Sequence, residues 1–139
     1  MTKKVLILGA TGLVGGALVE EFKSRDYEVH GTYHNLHVLS KCSNWECDIT
    51  DCSKILRIVE KVRFDVIINA TAFANVDQCE INKDECIAVN IQGLVNLINI
   101  APNTYTVHFS TDYVFDGTKD CYTENSTPNP LNFYGLAKL

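Results

Sequence analysis

The stretch GATGLVG at residues 9–15 constrains the fold of this chain more than any other feature. It follows the short apolar run KKVLILG at 3–9, and the segment 13–23 after it carries apolar side chains at helical spacing. Glycines in this register allow a strand to turn sharply into a helix that packs close to the turn. The sequence therefore predicts a strand, a tight turn and a helix.

The alternation of strand and helix continues along the chain. Further strands are predicted at 28–33, 45–49, 65–70 and 105–110. One helix is predicted to open at Thr50 with Ser53 and to run through Val62, and another to run from Asn82 through Ile100. Asn82 and Glu85 have the spacing of a capping box. Strands joined by helices of this length form parallel sheets with helices on both faces. The predicted fold is α/β: one doubly wound, Rossmann-like dinucleotide-binding domain over 1–139, incomplete because the last strands of such a fold are absent. The irregular stretch 112–132 is predicted to be a functional loop.

Composition narrows the classes of protein that fit. The formal net charge is -5, whereas domains that bind nucleic acid usually carry a basic face, so no nucleic-acid partner is expected. The sequence has no apolar run long enough to span a bilayer, and its N-terminal apolar segment is too short for a signal peptide. We therefore expect a cytoplasmic protein with no membrane partner.

The cysteines are predicted to be structural or incidental thiols. They number six, and their spacing lacks the paired C-x2-C pattern of zinc sites: Cys42, Cys47, Cys52, Cys79, Cys86 and Cys121. A cytoplasmic chain keeps its thiols reduced. No metal is expected, and a metal site or a redox pair is the alternative.

The glycine-rich turn predicts dinucleotide binding. Glycines let the backbone approach a pyrophosphate, and the N-terminus of the following helix offers free N–H groups and a positive dipole end. The residues predicted to bind the cofactor here are Gly9, Thr11, Gly12, Leu13, Val14 and Gly15. The alternative is a plain turn between strand and helix, which does not need three glycines at this spacing.

Two further strand ends are predicted to line the cofactor. Ligands of open α/β sheets bind outside the carboxyl ends of the strands, where the small residues Ala70, Thr71 and Ala72 leave room. Asp48, with its neighbour Ile49, is a candidate for the adenine edge, and its alternative role is that of a turn or cap residue.

The end of the second strand leaves the choice of cofactor open. An acidic residue at this point often holds the ribose 2′-hydroxyl, but the segment GTYHNLH contains no carboxylate. His34 and His37 are candidates for contact with a 2′-phosphate, and the alternative is that both are simply solvated. NADPH and NADH are both compatible with this pattern.

The segment HFSTDYVFDG and the later Tyr134 and Lys138 carry groups suited to reducing a ketone. Tyr134 would protonate the carbonyl oxygen as hydride reaches its carbon, and a hydroxyl at Ser110 or Thr111 would hydrogen-bond that oxygen. Lys138 lies one helical turn after Tyr134, so its ammonium is expected to lower the pKa of the phenol.

With these residues in place, the chain resembles the extended short-chain dehydrogenase/reductases, and within them the dTDP-4-dehydrorhamnose reductase family. The matching segments, in order, are GATGLVG, DVIINATAFANVDQCE, AVNIQGLVNL, STDYVFDG and PNPLNFYGLAKL. The resemblance implies that Thr111, Tyr134 and Lys138 are catalytic, that Tyr134 and Lys138 also contact the cofactor, and that Thr111 and Asp112 contact the substrate. Asn90 would mark the helix on the cofactor side.

The implied reaction is NAD(P)H-dependent reduction of the 4-keto group of dTDP-4-dehydro-L-rhamnose to give dTDP-L-rhamnose, with a nucleotide sugar as substrate. Members of the family are about twice as long, so the resemblance implies that the C-terminal substrate-binding region is absent, that this chain alone has little or no activity, and that a homodimer is possible at full length. One alternative is a non-catalytic, NADP-binding regulatory subunit resembling the methionine adenosyltransferase β subunit. Another is a related nucleotide-sugar epimerase or reductase.

Overall fold

A computed structural model describes residues 2–35 and 42–139. The strands are β1 (Lys4–Leu8), β2 (Glu28–Tyr33), β3 (Ser43–Glu46), β4 (Val66–Asn69) and β5 (Tyr105–His108). The α-helices are α1 (Leu13–Ser24), α2 (Cys52–Lys61), α3 (Val76–Ile81), α4 (Lys83–Ile87), α5 (Gly93–Ile100) and α6 (Phe133–Lys138). A π-helical turn spans Ala88–Gln92, and a 3-10 helix spans Asp112–Val114.

The chain divides into two compact units. The sheet unit contains Met1–Thr71 and Gly93–Phe109, and the helical unit contains Ala72–Gln92 and Ser110–Leu139. All five strands belong to the first unit, and the candidate tyrosine and lysine belong to the second. Each unit is therefore described by itself.

The five strands of the sheet unit form one parallel sheet in the order β3-β2-β1-β4-β5. From β1 the chain steps outward to β2 and β3, then crosses back to β4 and β5 on the other side of β1. Because crossovers between parallel strands are right-handed, this reversal places α1 on one face of the sheet and α2 with α5 on the other. The predicted doubly wound, Rossmann-like α/β fold is confirmed.

The core of the sheet unit follows from strand alternation. Val5 and Ile7 of β1 pack in one buried cluster with Val19 of α1. The intervening Leu6 and Leu8 are also buried, and they face the opposite side because successive side chains of a strand alternate. On that side α2 and α5 pack together, with Ile55 and Leu97 both 0% exposed.

The second predicted helix begins at a different residue from the one expected. The Asp51 carboxylate accepts hydrogen bonds from the backbone N–H groups of Ser53 and Lys54, so Asp51 is the N-cap and α2 begins at Cys52. Thr50 instead donates both its backbone N–H and its hydroxyl to Asp48.

The long helix predicted from Asn82 through Ile100 is three elements, and the capping box is wrong. The side chain of Asn82 makes no cap bond to α4, and its amide donates to Gln78 Oε1 instead. The preceding segment forms α3, which the sequence did not predict, with Asn75 as its N-cap. The apolar pattern continues from α4 into α5, so it did not indicate the π-helical turn between them.

The helical unit has its own small core. Cys79 of α3, Cys86 of α4 and Ala137 of α6 are buried together, and Phe73, Phe133 and Tyr134 pack against them. Three short helices are therefore held by one cluster that contains two thiols.

All six cysteines are free thiols. Among residues 2–35 and 42–139, no group of three or more His, Cys, Asp or Glu side chains is arranged to hold a metal ion. Within the same ranges, every helix is too short or too polar to cross a bilayer.

We expect Ile55→Ala to lower the free energy of unfolding by about 3 kcal/mol, because it leaves a cavity at a fully buried site of α2. Leu56→Ala is the matched control on the same helix. Leu56 is 43% exposed, so its truncation should cost less than about 1 kcal/mol. Urea denaturation of both variants measures the difference, and equal losses would contradict the assignment of Ile55 to the core.

Candidate functional site

The turn after β1 is built on a close approach of backbone to backbone. Gly9 has φ +76°, a conformation that residues with a Cβ rarely adopt. A Cβ at Gly15 would lie 2.2 Å from the Gly9 carbonyl oxygen, so the first turn of α1 rests directly on the end of β1. The glycines are therefore required by the geometry of the turn.

The same turn is fixed to its neighbour strand. The Gly9 N–H donates to the Thr32 hydroxyl at 3.0 Å, and the Ala10 N–H donates to the Thr32 carbonyl at 2.9 Å. Thr32 of β2 accepts both hydrogen bonds, so the turn cannot rotate without breaking them. Thr32 is a member of this site that sequence reasoning missed, and no sequence signal singled it out.

The N-terminus of α1 has no side-chain cap. Gly12 is the N-cap and supplies no side-chain hydrogen bond to the first turn, which contains no acidic residue. Leu13 is 94% exposed and Val14 is 47% exposed. A positive helix end beside exposed apolar side chains is compatible with the pyrophosphate and adjacent groups of a dinucleotide. The cofactor contacts of Gly12, Leu13 and Val14 stay predictions.

The carboxyl end of β4 lies beside this turn within the sheet unit. A Cβ at Gly9 would lie 3.0 Å from Thr71 Cγ2 and 3.1 Å from the Ala70 carbonyl oxygen. Asn69 holds this end in place, because its Oδ1 accepts from the Thr71 hydroxyl at 2.6 Å and its amide lies 3.1 Å from His108 Nδ1. Ala70 and Thr71 thus flank the glycine turn where the strand order reverses, the usual ligand position in such sheets. Ala72 belongs to the helical unit.

The loop after β3 orients Asp48. Its Oδ1 accepts from the Thr50 N–H and hydroxyl, both at 2.8 Å, while its Oδ2 lies 3.4 Å from His34 Nε2. Asp48 is thus a turn residue that still presents one oxygen. Ile49 is buried, and a Cβ at Gly93 would lie 2.9 Å from its Cγ2, so only the backbone of Ile49 can meet a cofactor. The other candidate, His37, lies outside the described residues.

In the helical unit, three contacts position α6. Asn132 caps the helix, since its Oδ1 accepts from the Gly135 N–H at 2.7 Å. The Phe133 N–H donates to Glu80 Oε1 at 2.6 Å. A Cβ at Gly135 would lie 2.2 Å from the Tyr113 carbonyl oxygen, so glycine is needed for α6 to approach the 3-10 helix. Sequence reasoning missed Gly135, although a glycine directly after the candidate tyrosine was a visible signal.

The two hydroxyls left open by the sequence have different partners. Ser110 donates to the Lys138 backbone carbonyl at 3.0 Å. The Thr111 hydroxyl caps the 3-10 helix by accepting from the Tyr113 N–H at 3.3 Å, and it donates to Asp112 Oδ1 at 3.2 Å. Thr111 also lies near the phenol of Tyr134, since its side chain acts to lower the pKa of that phenol. Thr111 is therefore the hydroxyl that accompanies the tyrosine, and Ser110 anchors the helix backbone.

The pKa of Tyr134 moves in the direction opposite to the one expected. Burial raises the pKa of the phenol, the Cys79 thiol acts in the same direction, and the Thr111 side chain opposes both. The expectation that Lys138 would lower this pKa is wrong, because burial raises it and Lys138 is not among the groups with the largest effect on it. Tyr134 consequently holds its proton more firmly than a solvated tyrosine does.

Lys138 is a buried lysine. Its residue is only 6% exposed, and this burial lowers the pKa of the ammonium, with the Cys86 thiol acting in the opposite direction. A lysine so placed is a structural cost, since removing a charge from water is unfavourable. Such costs are commonly found where a protein needs the charge for its chemistry.

Asn90 hydrogen-bonds Phe73 and Cys86, which both belong to the cluster that packs against α6. It is 2% exposed; its Oδ1 accepts from the Phe73 N–H at 2.9 Å, and its amide donates to the Phe73 carbonyl at 3.1 Å and to Cys86 Sγ at 3.3 Å. Cys79 Sγ donates to the same Phe73 carbonyl at 3.3 Å. The two thiols are thus part of the framework behind the tyrosine. Sequence reasoning missed this because α3 was not predicted.

Comparison with known proteins matches this chain to one family model and to relatives of two kinds. The family model described as RmlD substrate binding domain matches residues 3–139. A "Probable low-salt glycan biosynthesis reductase Agl14" from Haloferax volcanii is 34% identical over 136 residues, covering 96% of this chain and 45% of that protein. "Methionine adenosyltransferase 2 subunit beta" from Danio rerio is 33% identical over 137 residues, covering 99% of this chain and 42% of that protein.

Among solved structures, the dTDP-4-dehydrorhamnose reductase from Bacillus anthracis in complex with NADP superimposes with a TM-score of 0.84 at 31% identity. The match covers 99% of this chain and 47% of that one. The chain thus spans less than half the length of these relatives.

We expect Gly15→Ala to weaken NADPH binding more than tenfold, because its Cβ would meet the Gly9 carbonyl and force α1 away from the turn. Gly16→Ala is the matched control. Its Cβ would lie 3.7 Å from the Ala10 carbonyl, an ordinary contact, and alanine favours the helix by about 0.5–1 kcal/mol. Calorimetric titration with NADPH measures both, and unchanged binding in Gly15→Ala would refute the predicted cradle.

We expect Lys138→Met to raise the melting temperature at neutral pH, because the folded protein no longer buries an ammonium group. A lowered pKa means that the folded state disfavours the charged form, so the penalty is full below the folded pKa. It fades as pH rises from that value towards the unfolded pKa.

The gain from Lys138→Met should therefore shrink as the pH is raised. Lys3→Met, at an exposed lysine, should show no such gain. Melting curves at several pH values test this, and a gain that grows with pH would contradict the burial argument.

Proposed function

This chain belongs to the RmlD substrate binding domain family, and we propose that the protein carrying it is an NAD(P)H-dependent reductase of a nucleotide sugar. The specific reaction proposed is reduction of the 4-keto group of dTDP-4-dehydro-L-rhamnose to dTDP-L-rhamnose. The observation that carries this proposal is the arrangement of Tyr134 with Thr111, one turn before the buried Lys138. The solved relative that contains NADP supports the cofactor assignment.

In the sheet unit, the glycine turn would hold the cofactor. The glycines let α1 begin directly against the end of β1, and the N-terminus of α1 would then face the pyrophosphate. Ala70 and Thr71 leave room beside it, and Asp48 presents one oxygen for an adenine amino group or a ribose hydroxyl. When bound, the nicotinamide supplies hydride.

In the helical unit, Tyr134 would be the general acid. Its raised pKa keeps the phenol protonated, so the O–H is available to donate to the carbonyl oxygen of the substrate as that oxygen gains negative charge. Thr111 would donate a second hydrogen bond to the same oxygen, which requires its hydroxyl to turn from Asp112. After the transfer, Tyr134 is a phenolate, which the Lys138 ammonium stabilises until solvent returns the proton.

A second candidate function is a non-catalytic subunit that binds NADP and regulates another enzyme. The observation in its favour is the 33% identity with the Danio rerio β subunit over 99% of this chain. This reading requires a cofactor cradle but no proton donor, and the pairing of Tyr134 with Thr111 favours the reductase.

We expect Tyr134→Phe to reduce turnover by a factor of about 10²–10⁴, the usual contribution of a positioned general acid, while changing NADPH affinity little. NADPH oxidation with dTDP-4-dehydro-L-rhamnose, in the protein at its full natural length, measures turnover. Tyr105→Phe is the matched control, since Tyr105 is exposed and lies in the sheet unit.

Retained turnover in Tyr134→Phe would refute the assignment of the acid. Tight NADPH binding by the wild-type protein, without turnover of any dTDP-4-keto sugar, would favour the regulatory reading instead.

A further inference from the structure

Helix α6 carries Tyr134 and Lys138, so the position of its first turn decides where the phenol of Tyr134 lies. Backbone N–H groups in the first turn of a helix have no partner inside the helix. Asn132 accepts the Gly135 N–H at 2.7 Å, and this bond lies within one short segment of the chain. It therefore shapes the start of the helix without tying α6 to another helix.

A second bond does tie this first turn to another helix. The Phe133 N–H donates to Glu80 Oε1 of α3 at 2.6 Å, although 53 positions separate the two residues. The short distance is typical of a hydrogen bond that the charge of a carboxylate strengthens. The helix dipole also favours a negative charge at the N-terminal end of a helix. Glu80 thus fixes the point at which α6 begins relative to α3.

The ring of Phe133 is held as well as its backbone. The ring packs against the buried cluster of the helical unit, and the Lys83 ammonium lies 5.1 Å from its centroid. Lys83 is the first residue of α4, and Glu80 lies at the end of α3. Two neighbouring helix ends therefore hold the backbone and the ring of one residue, which directly precedes the proposed general acid.

The loop that leads into α6 is fastened before the helix begins. Asp116 Oδ2 accepts from the Asn129 amide at 3.0 Å, and its Oδ1 accepts from the Tyr122 hydroxyl at 2.5 Å. The Asn129 N–H also donates to the Val114 carbonyl at 2.9 Å. The chain is therefore fixed at Asn129, and Glu80 fixes it again where α6 starts.

We propose that Glu80 is a positioning residue of the proposed reductase, because it sets, through the first turn of α6, where the phenol of Tyr134 meets the substrate. This inference rests on the proposed function and deepens it. Phe133 and Tyr134 are adjacent, and consecutive Cα atoms lie about 3.8 Å apart, so a shift of one is passed to the other. A general acid must lie within hydrogen-bond reach of the oxygen that it protonates, and a misplacement of about 1 Å can reduce turnover about 100-fold.

Glu80 can be replaced without disturbing the core of the helical unit. Its side chain is exposed, so its removal leaves the buried cluster around Cys79 and Cys86 in place. Helix α6 has six residues, and a helix this short depends on contacts outside itself. Loss of the bond to Glu80 is therefore expected to displace the first turn of α6 while the protein stays folded. The glycine turn predicted to bind the cofactor belongs to the other unit.

The test compares Glu80→Ala with Glu80→Gln in the protein at its full natural length. Alanine removes the acceptor, whereas glutamine keeps an acceptor oxygen of the same reach and loses only the charge. NADPH oxidation with dTDP-4-dehydro-L-rhamnose measures kcat and KM, and calorimetry measures the affinity for NADPH. In Glu80→Ala we expect kcat to fall at least about tenfold, with KM and the NADPH affinity within about threefold of wild type. Glu80→Gln should keep at least about a third of the wild-type kcat, because the acceptor remains.

Glu85→Ala is the matched control. Glu85 is an exposed glutamate in the first turn of α4, and its replacement should change none of the three quantities. All assays are run well below the melting temperature of each variant, so that a loss in Glu80→Ala reports the placement of Tyr134 and not unfolding.

A wild-type kcat in Glu80→Ala would overturn the inference and leave the proposed reductase intact. Equal losses in Glu80→Gln and Glu80→Ala would also overturn it, because the charge and not the placement of the acceptor would then matter. A parallel loss of kcat and NADPH affinity would do the same, since it would show a general effect on the fold. Wild-type protein that turns over no dTDP-4-keto sugar would overturn the proposed function and this inference together.

Discussion

The contact between the Gly9 carbonyl and the first turn of α1 is the constraint on which the sheet unit depends. The backbone of α1 packs directly on the backbone at the end of β1. A Cβ at Gly15 would lie 2.2 Å from the Gly9 carbonyl oxygen, so no side chain fits at this position. Thr32 then ties the turn to β2, and Thr71 lies against it from the end of β4. The ends of β1 and β4 and Thr32 of β2 therefore meet around Gly9, beneath the first turn of α1.

The sequence predicted the sheet well because its signals were local and strong. Apolar runs bounded by glycine or polar residues coincided with β1, β2 and β4, and the glycine turn coincided with the start of α1. The predicted helix starts were wrong where two neighbouring residues could each have capped the helix. Asn82 had cap spacing, but its amide reached Gln78; Asp51 outcompeted Thr50 as the cap of α2. A six-residue helix such as α3 is stabilised by packing, which a sequence pattern does not reveal.

In the candidate site, too, the sequence predicted which residues are present but not the surroundings of their side chains. The order of motifs indicated Thr111, Tyr134 and Lys138, and the structure places Thr111 rather than Ser110 beside the tyrosine. Sequence reasoning gave the wrong direction for the pKa of the tyrosine because it weighed the neighbouring ammonium and could not weigh burial. Nor could it identify the thiols of Cys79 and Cys86 as the packing behind α6, since that requires knowledge of α3 and α4.

The bonds to Asp116 have a consequence for how this part of the protein can change over time. The Asp116 carboxylate accepts hydrogen bonds from Tyr122 and Asn129 at the two sides of an exposed turn, in which Thr123 and Ser126 bond to each other. The tip of the loop, residues 123–126, is thereby separated from the base that Asp116 holds. Insertions or deletions near this tip would leave the hydrogen bonds of Asp116 in place, so the tip can change in length while the base of the loop keeps its shape.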